Sequence, residues 1–292
     1  MSEFVKISDI VIDNNIYPHD RKNREKAKGS EILLTQRRDG LELGKVNYKI
    51  VDKSDFNIYD LQALFDIVIR ISQIEKSDYI AVVKTDKIGK IVKKEFDKKV
   101  SIITASRIRE LTGLSTQTAW KIKESIENLA NKKIIVELDE PIQLSKEIEV
   151  TGWAITPLIE HERSPLHLRV SNKTVEVRIF RLDKLLTHNT KSFVPMFPNT
   201  FTRILSSKDI PKRSKPFVAD VLLYLLNHRH NDIAYLNIEE FSKVFATKES
   251  RSRHVSELVN RIEKSLNWLV ELGIIVDFEY SKNTWKVELR FS

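Results

Sequence analysis

Two stretches of this chain repeat each other at an offset of 140 residues, and that repeat narrows the possible folds more than any other feature. Ser125, Leu129, Ile134, Ile135 and Val136 are matched by Ser265, Leu269, Ile274, Ile275 and Val276. Ala119, Ile122 and Ile126 match Val259, Ile262 and Leu266 in character. The leading members fall at helical spacing and the last three are consecutive, as on a buried strand. Coincidences in both kinds of position predict two copies of one structural unit. At 292 residues the chain has room for two domains, each with its own core.

The second copy reads completely. Val218 to Asn227 is an apolar helix, and Ile238 to Phe245 a short one capped by Asn237. A long helix starts near Lys248 to Ser250 and runs to Leu272, with Val255, Leu258, Val259, Ile262, Leu266 and Leu269 as its apolar stripe. Gly273 stops it. Strands at 274–280 and 284–291 flank a turn at Ser281-Lys282-Asn283.

In the first copy, Phe56 to Ile74 is a helix with Asp55 as its N-cap, and 79–96 reads as a strand pair around Asp86 and Gly89. Val100 to Thr104 suits a short strand. Thr104 or Ser106 caps a helix through Leu111, Thr112 to Ser115 is a tight turn, and Ser115 caps a second helix to about Ala130. Ile134 to Leu138 is a strand, and more strands lie within 147–159 and 166–181. Helix, glycine-bearing turn, helix and strand make the helix-turn-helix of a winged fold. The expected class is therefore α+β, with two tandem winged-helix (helix-turn-helix) domains. They span 51–205, with inserted strands, and 206–292, after an N-terminal extension over 1–50. In that extension Ile7, Val11 and Ile12 suit a short strand, and 21–28 is a solvated segment or a basic arm. Ser206 to Pro216 reads as a polar linker.

The chain carries a formal net charge of +8 with Lys and Arg interleaved among acids, which implies charged folded surfaces that attract a polyanion. Duplex DNA is the polyanion expected for a winged fold. Cysteine is absent, which excludes disulfide scaffolds, thiolate metal sites and Cys nucleophiles. Met1 to Ile12 is too polar for a signal segment, and no window suits a membrane span, so a cytoplasmic protein is expected. No phosphate-cradling glycine loop is present. His228-Arg229-His230 only superficially resembles a nuclease His-hydrophobe-His, and His161 and His167 lack a metal-ligating cluster. The expectation is a non-enzyme without metal or cofactor.

A major groove admits one helix, read from its N-terminal half and outer face. At 100° per residue, Thr116, Gln117, Trp120, Lys121 and Glu124 point outward in the first copy. The DNA-contact candidates there are Ser115, Thr116, Gln117, Thr118 and Lys121. Trp120 is expected to pack on protein. In the second copy the candidates are Lys248, Ser250, Arg251, Arg253, His254, Asn260 and Arg261, with Lys282 and Asn283 at the wing turn. Arg251 and Arg253 suit guanine, while Lys248 and Ser250 suit phosphates. The second domain, richer in cations at its helix start, is expected to bind more tightly.

With these elements in place, residues 55–292 resemble the initiator proteins of iteron-containing plasmids. The letters that carry this are Gly152-Trp153-Ala154-Ile155-Thr156-Pro157-Leu158-Ile159, Val175 to Phe180, Leu182 to Leu186 and Phe197 to Phe201. The resemblance implies a replication initiator that binds direct repeats at an origin, opens the adjacent duplex and brings in a host helicase or its loader. It also implies a homodimer formed through the first domain in a self-repressing form. A tandem winged-helix transcription regulator is the alternative. The extension over 1–50 and the insertion over 79–96 depart from the family pattern.

Overall fold

The structure is a computed structural model. It describes residues 5–8, 31–33, 45–50, 57–96, 99–130, 133–138, 142–143, 149–150, 153–157, 159–161, 166–170, 173–182, 193–245 and 255–290. Strands β1 (Val5–Ser8), β2 (Glu31–Leu33) and β3 (Lys45–Ile50) come first. Helix α1 follows as three consecutive segments, Ile58–Leu61, Gln62–Ile69 and Arg70–Glu75, the middle one wound with wider i→i+5 bonding. Next come β4 (Tyr79–Val82), α2 (Asp86–Glu95), β5 (Val100–Ile103), α3 (Ala105–Thr112) and α4 (Thr116–Leu129). Strands β6 (Lys133–Leu138), β7 (Ile142–Gln143), β8 (Glu149–Val150), β9 (Trp153–Pro157) and β10 (Ile159–His161) follow. Then come β11 (Leu166–Val170), β12 (Lys173–Val177), β13 (Ile179–Leu182) and β14 (Phe193–Met196). The remainder is α5 (Thr200–Ser206), α6 (Lys215–Asn227), β15 (Arg229–His230), β16 (Ile233–Asn237), α7 (Ile238–Phe245), α8 (Val255–Glu271), β17 (Ile275–Ser281) and β18 (Thr284–Leu289). The class is mixed helix and sheet, α+β.

Helix α1 is the centre of the molecule. Leu61 to Ile69 is buried on every side, the polar Gln62 and Asp66 included. Its start is Asn57, not Asp55, which lies outside the described residues. Asn57 Oδ1 accepts from the N–H groups of Tyr59 and Asp60, and the Asn57 N–H donates back to Asp60 Oδ2, a reciprocal capping box. α1 packs on α4 of its own half and on α5 and α6 beyond it. Phe65 stacks on Phe201 of α5 with centroids 5.2 Å apart. Among the described residues one apolar cluster runs from Ile58 to Leu289 and includes side chains of both halves. The stretch read as a linker joins it: Ile210 is buried, and Lys215 Nζ donates to the Ser207 carbonyl at 2.8 Å.

Polar groups of α1 make hydrogen bonds across the same junction, although Gln62 Oε1 and Asp66 Oδ1 have no partner among the described residues. Thr202 donates to Asp66 Oδ2 through its N–H (2.7 Å) and its hydroxyl (2.8 Å), and Gln62 Nε2 donates to Thr202 Oγ1 at 2.9 Å. Burial pushes the Asp66 carboxyl up to about 7, against the lowering pull of the Thr202 and Phe201 hydrogen bonds and of Arg70. Arg70 itself donates to the Leu111 carbonyl (3.1 Å) and to Asn199 Oδ1 (2.6 Å), which ties the end of α3 to the start of α5.

Two expectations for the first half are corrected. Residues 79–96 do not form a strand pair. β4 leads into α2, which crosses over to β5, and β4 and β5 are parallel. Thr85 caps α2, and Ile88, Ile91 and Val92 fall at helical rather than alternating spacing. Gly89, read as a turn residue, is mid-helix, where a Cβ would lie 2.5 Å from Ile102 Cγ2. Its role is close helix–strand approach. The second correction concerns residues 45–50, placed in the extension. They form β3, which pairs with β6 (Ile50 opposite Ile134), giving the sheet order β2-β3-β6-β9. β1 likewise pairs with β14.

The two halves differ in how they use the strand ahead of their helix pair. In the second half β16 joins the hairpin, in the order β15-β16-β18-β17. In the first, β5 joins β4, β13 and β10 instead and never meets β6 and β9. A second apolar cluster seats α2 against β4, β5, β13 and the β11–β12 hairpin through Ile88, Val92, Ala81, Val100, Ile179, Leu168 and Val177.

Candidate nucleic-acid interface

Helices α3 and α4 form a tight helical pair. Thr104 Oγ1 accepts from the Arg107 N–H at 3.1 Å and caps α3. Gly113, left-handed at φ 70°, closes it by donating to the Arg109 carbonyl at 2.8 Å. Ser115 caps α4, accepting from the Thr118 N–H at 3.3 Å and sharing a 3.0 Å hydroxyl contact with Thr118. Both hydroxyls take part in the helix start, and one of the two keeps its O–H donor. Ala119, Ile122, Ile126 and Leu129 are buried, and Thr116, Gln117, Trp120, Lys121 and Glu124 are exposed. Thr116, Gln117 and Lys121 carry no side-chain hydrogen bond to other described residues, so their donors and acceptors face outward.

Trp120 was expected to pack on protein. Its indole is 39% exposed, and among the described residues its charged neighbour is Lys123, whose Nζ lies 4.9 Å from the ring centroid. Lys123 also reaches Glu127 at 3.7 Å. The far end of α4 borders a cleft of about 570 Å³ between β4, α2 and β12. Cations (Lys84, Lys123, Arg178) and acids (Glu127, Glu176) line it together, so it has no strong charge preference.

In the second half, α8 buries Ile262, Ser265, Leu266 and Leu269. It ends as the sequence requires. Gly273 has φ 67° and donates to the Val270 carbonyl, while the Ile274 N–H reaches back to Leu269, the paired bonds of a Schellman motif. Asn260 is exposed on the outer face. Arg261 is committed elsewhere: its guanidinium carbon sits 4.1 Å from the Phe217 ring centroid of α6. The exposed described side chains of α8 hold three acids (Glu257, Glu263, Glu271) against Arg261 and Lys264. The candidates Lys248, Ser250, Arg251, Arg253 and His254 lie outside the described residues.

The wing turn is well defined. Lys282 (φ 48°) and Asn283 (φ 61°) are both left-handed, the type I′ geometry that matches the twist of β17 and β18. The tip is fastened to α7. The Ile238 N–H donates to the Asn283 carbonyl at 3.1 Å, and Asn237 caps α7 while its Nδ2 donates to Thr284 Oγ1. Tyr280 OH bonds Asn283 Oδ1 at 3.2 Å, which leaves Lys282 as the free charge of the tip.

Sequence reasoning missed the lysines of α2. Lys87, Lys90 and Lys94 are exposed on one side of a helix that had been read as strands. The signal was present in their i, i+3, i+7 spacing. Among the described residues no group of His, Asp and Glu suits a metal ion, and no helix is long and apolar enough to cross a membrane.

No family model matches the chain. No curated protein matches it either. Among solved structures it is similar to two crystal structures of domains 2 and 3 of RctB, each at 12% sequence identity. One alignment covers 89% of this chain and 90% of that one, with a TM-score of 0.36. The other covers 96% of each, with a TM-score of 0.40.

Proposed function

We propose that the chain binds duplex DNA through two winged-helix units, with α4 and α8 as their groove-facing helices, and that it acts as a replication initiator without catalysis of its own. The observation that carries this is the outer face of α4. It follows a capped helix-turn-helix and leaves an amide, a hydroxyl and an ammonium (Gln117, Thr116, Lys121) free of internal partners. A Gln amide can pair with adenine, a Thr with a thymine methyl or a phosphate, and a Lys with the backbone. In the second half the order helix, strand, helix, helix, hairpin, with β16 beside β18, supports a winged-helix reading. The first half is a variant in which β5 serves a separate sheet. The net charge of +8 favours the same partner.

The resemblance over 55–292 to iteron-plasmid initiators supports the narrower role. In that role the chain binds direct repeats, helps open the duplex, recruits a host helicase or loader, and dimerises through its first half to repress itself. Footprinting on the DNA that flanks the gene tests it. Protection of two consecutive major grooves in each direct repeat of about 20 bp, two helical turns, is expected. Protection of one groove defeats the tandem use of α4 and α8. A lone inverted repeat at a promoter defeats the initiator role.

A further inference from the structure

We infer that helix α2 is a second, sequence-independent contact surface for the phosphate backbone of duplex DNA, formed by Lys87, Lys90 and Lys94. This rests on the duplex-DNA reading above. Residues 84–99 hold seven lysines against three acids, a surplus of four in sixteen residues of a chain whose net charge is +8. Lys87, Lys90 and Lys94 follow one another at i, i+3 and i+7, so they share one stripe of the helix. All three are exposed, and none has an ion pair or hydrogen bond among the described residues. Of the neighbouring charges, Lys93 meets Glu75 at 3.3 Å and Asp86 accepts from Thr104 Oγ1 at 2.7 Å, while Glu95 is an exposed acid at the end of the helix.

Three like charges stacked on one helix face repel, a cost that a polyanion removes. The stripe is also rigidly mounted. Ile88 and Val92 on the other face are buried, and Gly89 brings the helix down onto Ile102. From Lys87 to Lys94 the helix rises about 10 Å. That is close to the axial span of four successive phosphates on one strand, three steps of about 3.4 Å each. Lysines without a neighbouring Gln, Asn or Arg offer point charges for phosphate and nothing that reads a base edge.

The test measures binding of the full-length chain by fluorescence anisotropy between 50 and 200 mM salt. The ligands are a random duplex of about four helical turns and the DNA flanking the gene. The variants are K87Q/K90Q/K94Q and K90Q alone; Gln keeps helix propensity, and circular dichroism with thermal melting verifies the fold. The slope of log affinity on log salt is expected to fall by about 3 in the triple variant and about 1 in the single one, equally on both duplexes. Over that salt range the wild type should then lose about 40-fold more affinity than the triple variant. An unchanged slope in a wild type that binds duplex overturns the inference and leaves the groove-helix reading standing. A wild type that binds no duplex defeats the DNA reading itself, and this inference with it.

Discussion

Among the described residues, Asp66 has its chemistry strongly altered by the fold. Its carboxyl is fully enclosed, takes two hydrogen bonds from Thr202 at Oδ2, and has no partner for Oδ1 among the described residues. Because burial lifts it to about 7 from 3.8, the folded state holds the proton more tightly than the unfolded chain. Its contribution is therefore fully present below about pH 4 and is lost as pH rises through about 7. Denaturant melts should show stability declining over that window, by on the order of 4 kcal/mol from this group. Asp66→Asn, which keeps an acceptor for Thr202, should flatten the decline. An equally steep decline in the variant would show that another group drives it. At the outer face of α4, Gln117→Ala should cost about 1–3 kcal/mol on the preferred DNA site and little on random duplex. Lys121→Ala should weaken both alike and reduce the salt slope by about 1. Anisotropy titrations on the two DNAs separate these outcomes.

At the scale of elements, α2 carries the sharpest packing prediction. Gly89→Ala gains roughly 1 kcal/mol of helix propensity but drives a methyl into Ile102. Overpacking costs about 1–3 kcal/mol, so the variant should be less stable overall. In an Ile102→Ala background the same change should cost less, and a double-mutant thermal-melt cycle measures the difference. Local signals made several elements legible in the sequence. Asn237, Ser115 and Thr104 announce helix starts, and the stripe ending at Gly273 announces the end of α8, because caps and stripes depend on residues within one or two turns. Helix α2 was misread because Gly89 looks like a turn when its contact, Ile102, is not yet in view. The pairing of β3 with β6, and of β5 with β4 rather than with the β6–β9 hairpin, was not legible at all. Strand partners far apart in sequence are chosen by the whole assembly, and an alternating pattern is the same whichever partner it meets.

Across the whole molecule, the apolar cluster that joins the two halves sets the unfolding behaviour. Calorimetry should show one cooperative transition whose van't Hoff and calorimetric enthalpies agree. Two separate transitions would mean that α5 and α6 do not hold the second half to α1 as tightly as their packing implies. The repeat at an offset of 140 residues predicts two units but carries no sign of this shared interior. Matched letters report what each unit does for itself, and the contacts between units fall on residues such as Gln62, Asp66 and Thr202 that have no matching partners.

The Thr202 bridge to α1 also fixes the spacing between the two halves. With α5 hydrogen-bonded and stacked onto the central helix, neither half can pivot without exposing Asp66 and parting Phe65 from Phe201. If α4 and α8 read DNA as proposed, two contacts on so stiff a frame tolerate only one phase between their sequences. Inserting about 5 bp, half a helical turn, between two such sequences should reduce affinity to that of a single contact, and inserting a full turn should restore little, since the frame cannot stretch.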